Sequence, residues 1–345
     1  MRFGLFGSAT ARHGGPDVDS GQGYKQFVDY NVEAEALGYH STFLVEHHFT
    51  GFGQVSASLS LLTWVAAKTK TLRLGTAVLV LPWHNPVLVA EQAATIDLLS
   101  GGRLDFGVGK GYRHNEFAGF CLPIEEADAR FNESLDVIVK SWTSKQRFSH
   151  EGKYWQFSDI IVEPPTAQKP HPPIWMGAGS PDSIRAVAAR GYNLLLDQFA
   201  SFEAVAERIA IFKAAVEERG RTFDPTEVGV ARAFYVAKDV ADKDAALERR
   251  MEAQRRLATI SNPPGGKSKA SIMTFSDTRE ASEESALYGT PAEIAEKLTR
   301  LRKLGVEYIL MNGGGLVGQG SESLRRFANE VMPAFADDTR KRVVG

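Results

Sequence analysis

The stretch LRLGTAVLVL, residues 72–81, reads as a strand that is apolar on both faces. Strand side chains alternate between the two sides of a sheet, so such a strand must be covered on both. That is the situation of a parallel sheet flanked by helices. Outward from this stretch, apolar strands alternate with helical segments along the chain. Strands are read at 2–7, 41–46, 72–81, 103–108, 173–176, 192–196, 228–237 and 308–311. Helices are read at 22–37, 58–67, 86–99, 124–142, 183–190, 202–219, 241–257, 294–304 and 321–331, the first with Tyr24, Phe27, Val28 and Val32 on one face. Eight βα units in 345 residues predict an α/β fold, a TIM (β/α)8 barrel with insertions.

The rival is a doubly wound sheet, which needs a dinucleotide fingerprint. Gly107 and Gly109 would require glycine where Tyr112 stands, and Gly177 and Gly179 where Asp182 stands. No Pro/Ser-rich linker divides the chain, so a single domain over 1–345 is expected. Insertions are expected at about 147–172, with an aromatic-rich hairpin at 147–157, and at 261–286, a polar Gly/Pro-marked lid or surface loop.

A net charge of −2 gives no electrostatic reason to bind nucleic acid or anionic membrane. The longest apolar run, 76–83, is far shorter than the ~20 residues of a membrane span. The start, MRFGLFGS, lacks the pattern of a signal peptide. The lone Cys121 fits a reducing compartment. A cytoplasmic protein is expected.

In such barrels the chemistry sits at the C-terminal strand ends. Strand two runs there into three titratable groups: TFLVEHHFTGFG, residues 42–53, carries Glu46, His47 and His48. Adjacent strand residues face opposite ways, so Glu46 and His47 cannot chelate one metal together. With no HExxH or Cys/His cluster elsewhere, no metal site is expected. His47 is then a candidate acid, base or hydrogen-bond donor, weighed against a purely structural histidine. In DFGVGKGYRHNE, residues 105–116, Gly107, Gly109 and Gly111 share a face while the strand stays extended, leaving room for a flat ligand; Lys110 points away and can meet an anion. In WMGAGSPDSIRAV, residues 175–187, Ser180 suits an N-cap and Pro181 the first helical position, a helix start that can hold an anion with Ser183. NGGGLVGQGSES, residues 312–323, competes for that role after strand eight.

The segments VEHHFTGFG, LGTAVLVLP, GRLDFGVGKG and PPIWMGAGSPDS, with EVMPAF near the end, resemble the luciferase-like flavin monooxygenases. Within that family they resemble the alpha subunit of bacterial luciferase (alkanal monooxygenase). The resemblance covers nearly the whole chain and implies a TIM barrel that takes reduced FMN from a separate flavin reductase and activates dioxygen. It implies His47 as the catalytic histidine beside the flavin, with Glu46 and His48 supporting it or lining the substrate side. It sets Lys110, Gly179, Ser180 and Ser183 at the FMN phosphate, which favours the 175–187 loop, and a non-proline cis peptide at Ala77–Val78 under the ring. It also implies a homodimer through helices on one barrel flank. The departures are Gly109 for a reactive cysteine beside the flavin, Lys110 for an arginine, Gly179 for an acidic residue and Glu116 for an aspartate. Lysine offers a point charge instead of a fork. The substrate is expected to be a small organic molecule, with an aldehyde among the candidates. Two other readings stay open: a deazaflavin-dependent hydride-transfer enzyme, for which only Lys110 and Arg113 offer basic groups, and a non-catalytic flavin-binding protein.

Overall fold

A computed structural model of the chain describes residues 1–263, 265–266, 270–273, 276, 278–313 and 319–336. Eight parallel strands form its centre: β1 (Arg2–Gly7), β2 (Ser41–Leu44), β3 (Arg73–Thr76), β4 (Leu104–Gly109), β5 (Ile174–Gly177), β6 (Asn193–Leu196), β7 (Val228–Val236) and β8 (Tyr308–Asn312). Each pairs with the next, and β8 returns to β1 with Ile309 beside Phe3. The sheet therefore closes, and the fold is the expected TIM barrel.

Around it lie α1 (Gln22–Ala36), α2 (Ser58–Lys68), α3 (Pro86–Leu99), α4 (His114–Gly119), α5 (Ala127–Thr143), α6 (Pro181–Arg190), α7 (Phe202–Glu217), α8 (Val240–Ser261), α9 (Arg279–Ser285), α10 (Pro291–Lys303) and α11 (Gln319–Glu330). Their starts are written locally. Asn85, Ser180 and Thr290 cap α3, α6 and α10, each with proline at the first helical position.

The strands' outer faces and the helices' inner faces share the main core. Inside the barrel a second cluster of Phe43, Trp175, Leu195, Ala231, Tyr308 and Leu310 fills the lumen. Register explains how the phenyl ring fits. Phe43 pairs with Gly75, where a Cβ would lie 2.3 Å from the ring. A plugged lumen leaves only the strand ends for a ligand.

Several local expectations change. β3 stops at Thr76 instead of running to residue 81; the Ala77–Val78 peptide is cis, and Leu79–Val80 rejoin the sheet against β4. In α1 it is Asn31 that is buried, its amide donating to the Phe27 carbonyl, while Val32 is 38% exposed. The hairpin pairs Phe148–Glu151 with Gln156–Ile160, and Glu133 of α5 ties its turn through the Tyr154 and Trp155 amides. In the 261–286 segment α8 takes the first residue and α9 spans Arg279–Ser285, while 264, 267–269, 274, 275 and 277 lie outside the described residues. A three-residue strand, Leu287–Gly289, beside β7 is too short to read from periodicity. Among the described residues, no helix is long and apolar enough to cross a membrane.

Candidate active site at the C-terminal end of the barrel

The chain leaves β2 at Leu44, and the next residues find partners from β3 and β4. Glu46 is fully buried. Its Oε1 accepts from His48 Nε2 at 2.7 Å, His84 Nε2 at 2.6 Å and Trp83 Nε1 at 3.1 Å, and its Oε2 accepts from the Val80 amide at 2.9 Å. Burial alone would raise this carboxyl, but the hydrogen bonds from His48 and His84 outweigh it and hold the pKa down at about 2. Glu46 and His47 do face different partners, although the strand expected over 41–46 ends at Leu44, before either of them. His84, however, arrives from the turn after β3, so the ligand atoms of Glu46, His48 and His84 lie within 4.8 Å of one another. That is a metal-capable set of residue types that the sequence reading did not assemble. Both imidazole nitrogens are already hydrogen-bonded to the same carboxylate oxygen, Oε1 of Glu46.

His47 turns the other way. Its Nδ1 lies 3.1 Å from Glu116 Oε1 and its Nε2 lies 3.1 Å from Arg113 Nη2. A guanidinium only donates. Nε2 therefore accepts, the ring is neutral, and Nδ1–H donates to Glu116. Burial is the main influence lowering the His47 pKa and Arg113 adds to it; Glu116 pulls the other way and does not prevail. Glu116 also accepts from the His48 amide at 3.0 Å, so one carboxylate on α4 fixes both histidines. Arg113, only 3% exposed, pairs its charge with Glu116, Nη1 to Oε1 at 3.7 Å, but its Nε and Nη1 have no hydrogen-bond partner among the described residues, nor does the buried Oδ1 of Asn115.

An aromatic wall borders this cluster. Trp83 stacks on Phe120 at 5.2 Å, and His48 meets Phe120 edge-on at 4.9 Å. The imidazole of His47 is 15% exposed and does not line either of two cavities, of about 360 and 220 Å³, found at this end of the barrel.

The glycine strip takes a different form from the expected open groove. A Cβ at Gly107 would lie 1.7 Å from the Thr76 carbonyl oxygen, and one at Gly109 would lie 2.6 Å from Val78 Cγ2. Both glycines admit the bent end of β3. Gly111 has left the strand, with φ of 78°. Ala77 and Val78 pack against the luminal cluster. Lys110 reaches Asp128 at 2.9 Å, and both side chains are exposed. Ser180 and Ser183 form a reciprocal capping box at the start of α6, next to Gly179 at the end of the β5 loop. These lie on the rim, and no contact joins them to His47 among the described residues. Of the competing 312–323 loop, residues 314–318 lie outside the described residues.

Sequence reading missed His84 and Trp83 and gave Arg113 no role at the histidine. The available signal was faint: Arg113 and Glu116 stand three apart on either side of the α4 start, and His84 follows directly on the strand-three run.

The closed βα barrel thus carries at its C-terminal end a partly buried histidine held between a carboxylate and an arginine, in the place where barrel enzymes keep their sites. The sequence profile of the luciferase-like monooxygenases matches residues 1–308, and the chain belongs to that family. It is similar to the oxygenase component of the flavin-dependent trigonelline monooxygenase of Acinetobacter baylyi, 27% identical over 98% of this chain and 96% of that one. It is also similar to the FMNH2-dependent dimethylsulfone monooxygenase of Pseudomonas putida, 28% identical over 91% and 90% of the two chains. Among solved structures, the monooxygenase RslO1 of Streptomyces bottropensis superposes with a TM-score of 0.84, at 25% identity, over 97% of this chain and all of that one.

Proposed function

We propose that the chain is the oxygenase of a two-component system, taking reduced FMN from a flavin reductase and using dioxygen to oxidise a small organic substrate. The observation that carries this reading is the unmet hydrogen-bonding capacity beside His47: Nε and Nη1 of buried Arg113 and Oδ1 of Asn115. A reduced flavin ring offers carbonyl and ring-nitrogen acceptors together with N–H donors, so these residues fit it. When bound, the flavin supplies the redox chemistry with dioxygen.

The chain's own groups bind, orient and hold protons. Arg113 directs its donors to the ring, with Ala77 and Val78 at the bent end of β3 and Gly109 at the end of β4 beside it. A ligand that draws Arg113 away releases the lone pair of His47 Nε2 to take a proton, while Glu116 keeps Nδ1–H in place. Glu46 and His48, under the Trp83–Phe120 wall, keep water from that side. Lys110, Gly179, Ser180 and Ser183 receive the phosphate. An exposed pair such as Lys110–Asp128 is worth little and opens readily. We assign the protein to the cytoplasm, in keeping with its exposed free thiol at Cys121. Exposed Trp64 on α2 and Leu88, Leu98 and Leu99 on α3 support a homodimer through that flank.

The test is titration of the purified chain with reduced FMN under nitrogen, and separately with reduced deazaflavin, followed by admission of air. Binding of FMN that Arg113→Met weakens by about tenfold or more, the scale of a hydrogen bond from a charged donor, is expected. Preference for the deazaflavin would replace the FMN reading, and binding of neither would end the flavin reading altogether.

A further inference from the structure

Away from the His47 cluster, the same end of the barrel holds a buried cation with no counter-charge among the described residues. Arg250, on α8, is 7% exposed. Its Nη2 donates to Ser285 Oγ at 3.1 Å and reaches the Gln198 carbonyl at 3.4 Å, and its Nε has no hydrogen-bond partner among the described residues. No carboxylate lies within ion-pair distance of it among the described residues, and burial draws its pKa below the usual arginine value. A buried, unpaired guanidinium destabilises a fold by several kcal/mol unless something neutralises it.

The group lines a cavity of about 220 Å³ at the ends of β6, β7 and β8. Phe199, Tyr235 and Tyr288 supply flat apolar surface there, and Gln254 and Arg249 supply donors. The guanidinium of Arg250 lies 5.8 Å from the Phe199 ring centroid. The lining contains two arginines and no aspartate or glutamate among the described residues. The volume is below the roughly 300–1,000 Å³ of sites for drug-sized molecules. It suits one ring bearing one anionic group.

We propose that this cavity is the substrate subsite and that it takes a small planar organic acid, whose carboxylate pairs with Arg250 while its ring lies among Phe199, Tyr235 and Tyr288. The assignment rests on the flavin reading above, because "substrate" has meaning only if that reading holds.

Benzoate and benzamide, which share a ring and differ in charge, are titrated calorimetrically into the full-length chain and into Arg250→Met. Benzoate is expected to bind the wild type at least tenfold more tightly than benzamide. Arg250→Met should remove that advantage and leave benzamide within about twofold. The variant should melt at the same temperature or higher, since an unpaired buried charge has gone. Equal binding of the two ligands to the wild type would overturn the inference without recourse to any variant, and so would benzoate affinity retained in Arg250→Met. Reduced FMN and reduced riboflavin are then added anaerobically to the benzoate complex. FMN that binds without displacing benzoate supports the assignment. Displacement by FMN but not by riboflavin would put the cofactor's phosphate in this cavity and overturn it. If FMN fails to bind at all, the flavin reading falls and the substrate assignment with it; if FMN binds and benzoate ignores Arg250, only the inference falls.

Discussion

Arg113 Nη2 lies 3.1 Å from His47 Nε2, so the imidazole is an acceptor on that side and carries its proton on Nδ1, towards Glu116. Burial first, and Arg113 after it, favour the neutral ring, and Arg113 covers the nitrogen to which the proposed function gives acid–base work. On that proposal His47 acts only when Arg113 has another acceptor to bind.

Replacing His47 with alanine should leave FMN binding largely intact and lower turnover by about 10²–10⁴, the usual worth of a positioned acid or base. Stopped-flow binding and steady-state turnover separate the two effects. Unchanged turnover removes His47 from the mechanism.

Glu116→Gln tests the support of that ring. Glu116 is the main group holding the His47 pKa up against burial, so the pKa should fall further in the variant. Turnover should drop roughly 10- to 100-fold, from loss of a charge-assisted hydrogen bond of about 1.5–3 kcal/mol. An NMR titration of the His47 ring reads the first effect directly. A pKa that rises in the variant contradicts the arrangement.

Acid should destabilise the protein in two windows. His47 titrates below its ordinary value of 6.5 in the folded chain, so its contribution is complete above that pH and erodes as pH falls towards the folded value. Glu46 is held at about 2 against 4.5, so its contribution is complete above 4.5 and is lost as pH falls through 2. At 1.36 kcal/mol per pKa unit this second contribution is on the order of 3 kcal/mol. Urea midpoints of the wild type and Glu46→Gln should therefore converge between pH 5 and pH 2.5. A constant gap would show that Glu46 is not the titrating group.

Gly107→Ala should cost more stability than Gly109→Ala. The first would drive a methyl against the Thr76 backbone carbonyl, the second against the end of the Val78 side chain. Overpacking of this kind costs typically 1–3 kcal/mol, and the backbone contact should lie at the upper end or beyond. Thermal melts of the two variants decide it, and the reverse order would refute the close approach of β3 to β4.

Trp64→Glu and Leu99→Glu add charge to the exposed apolar flank of α2 and α3, where the two side chains are 61% and 69% exposed. Sedimentation velocity should show a dimer in the wild type and monomer in the double variant. A wild type that sediments as a monomer disposes of the proposed dimer.

The barrel was legible because its evidence is local. Alternating strands and helices, the proline-led starts of α3, α6 and α10, and a strand three that is apolar on both faces are properties of ten or twenty consecutive residues. Errors clustered where a neighbour overrides the local pattern. Periodicity could not choose Asn31 over Val32 for the buried face of α1, because the choice depends on what packs against that helix. Nor could it stop strand three at Thr76, since every residue there is compatible with extended chain.

The site divides in the same way. The run Glu46-His47-His48 marked a candidate site from sequence alone, since three titratable groups ending an apolar strand need partners. Which partners they have is a matter of closure and register. Glu46 meets His84, 38 residues on, and His47 meets Arg113 and Glu116, 66 and 69 residues on, because β2, β3 and β4 lie side by side with their C-terminal ends together. The same closure leaves Arg250 of α8 buried without a paired carboxylate among the described residues, a condition no stretch of the sequence reveals. Residue order therefore determined the elements, whose hydrophobic period is encoded within each segment. Only the closed barrel decided the charge pairing, because Coulomb and hydrogen-bond energies depend on distances of a few ångströms between atoms that the chain itself separates widely.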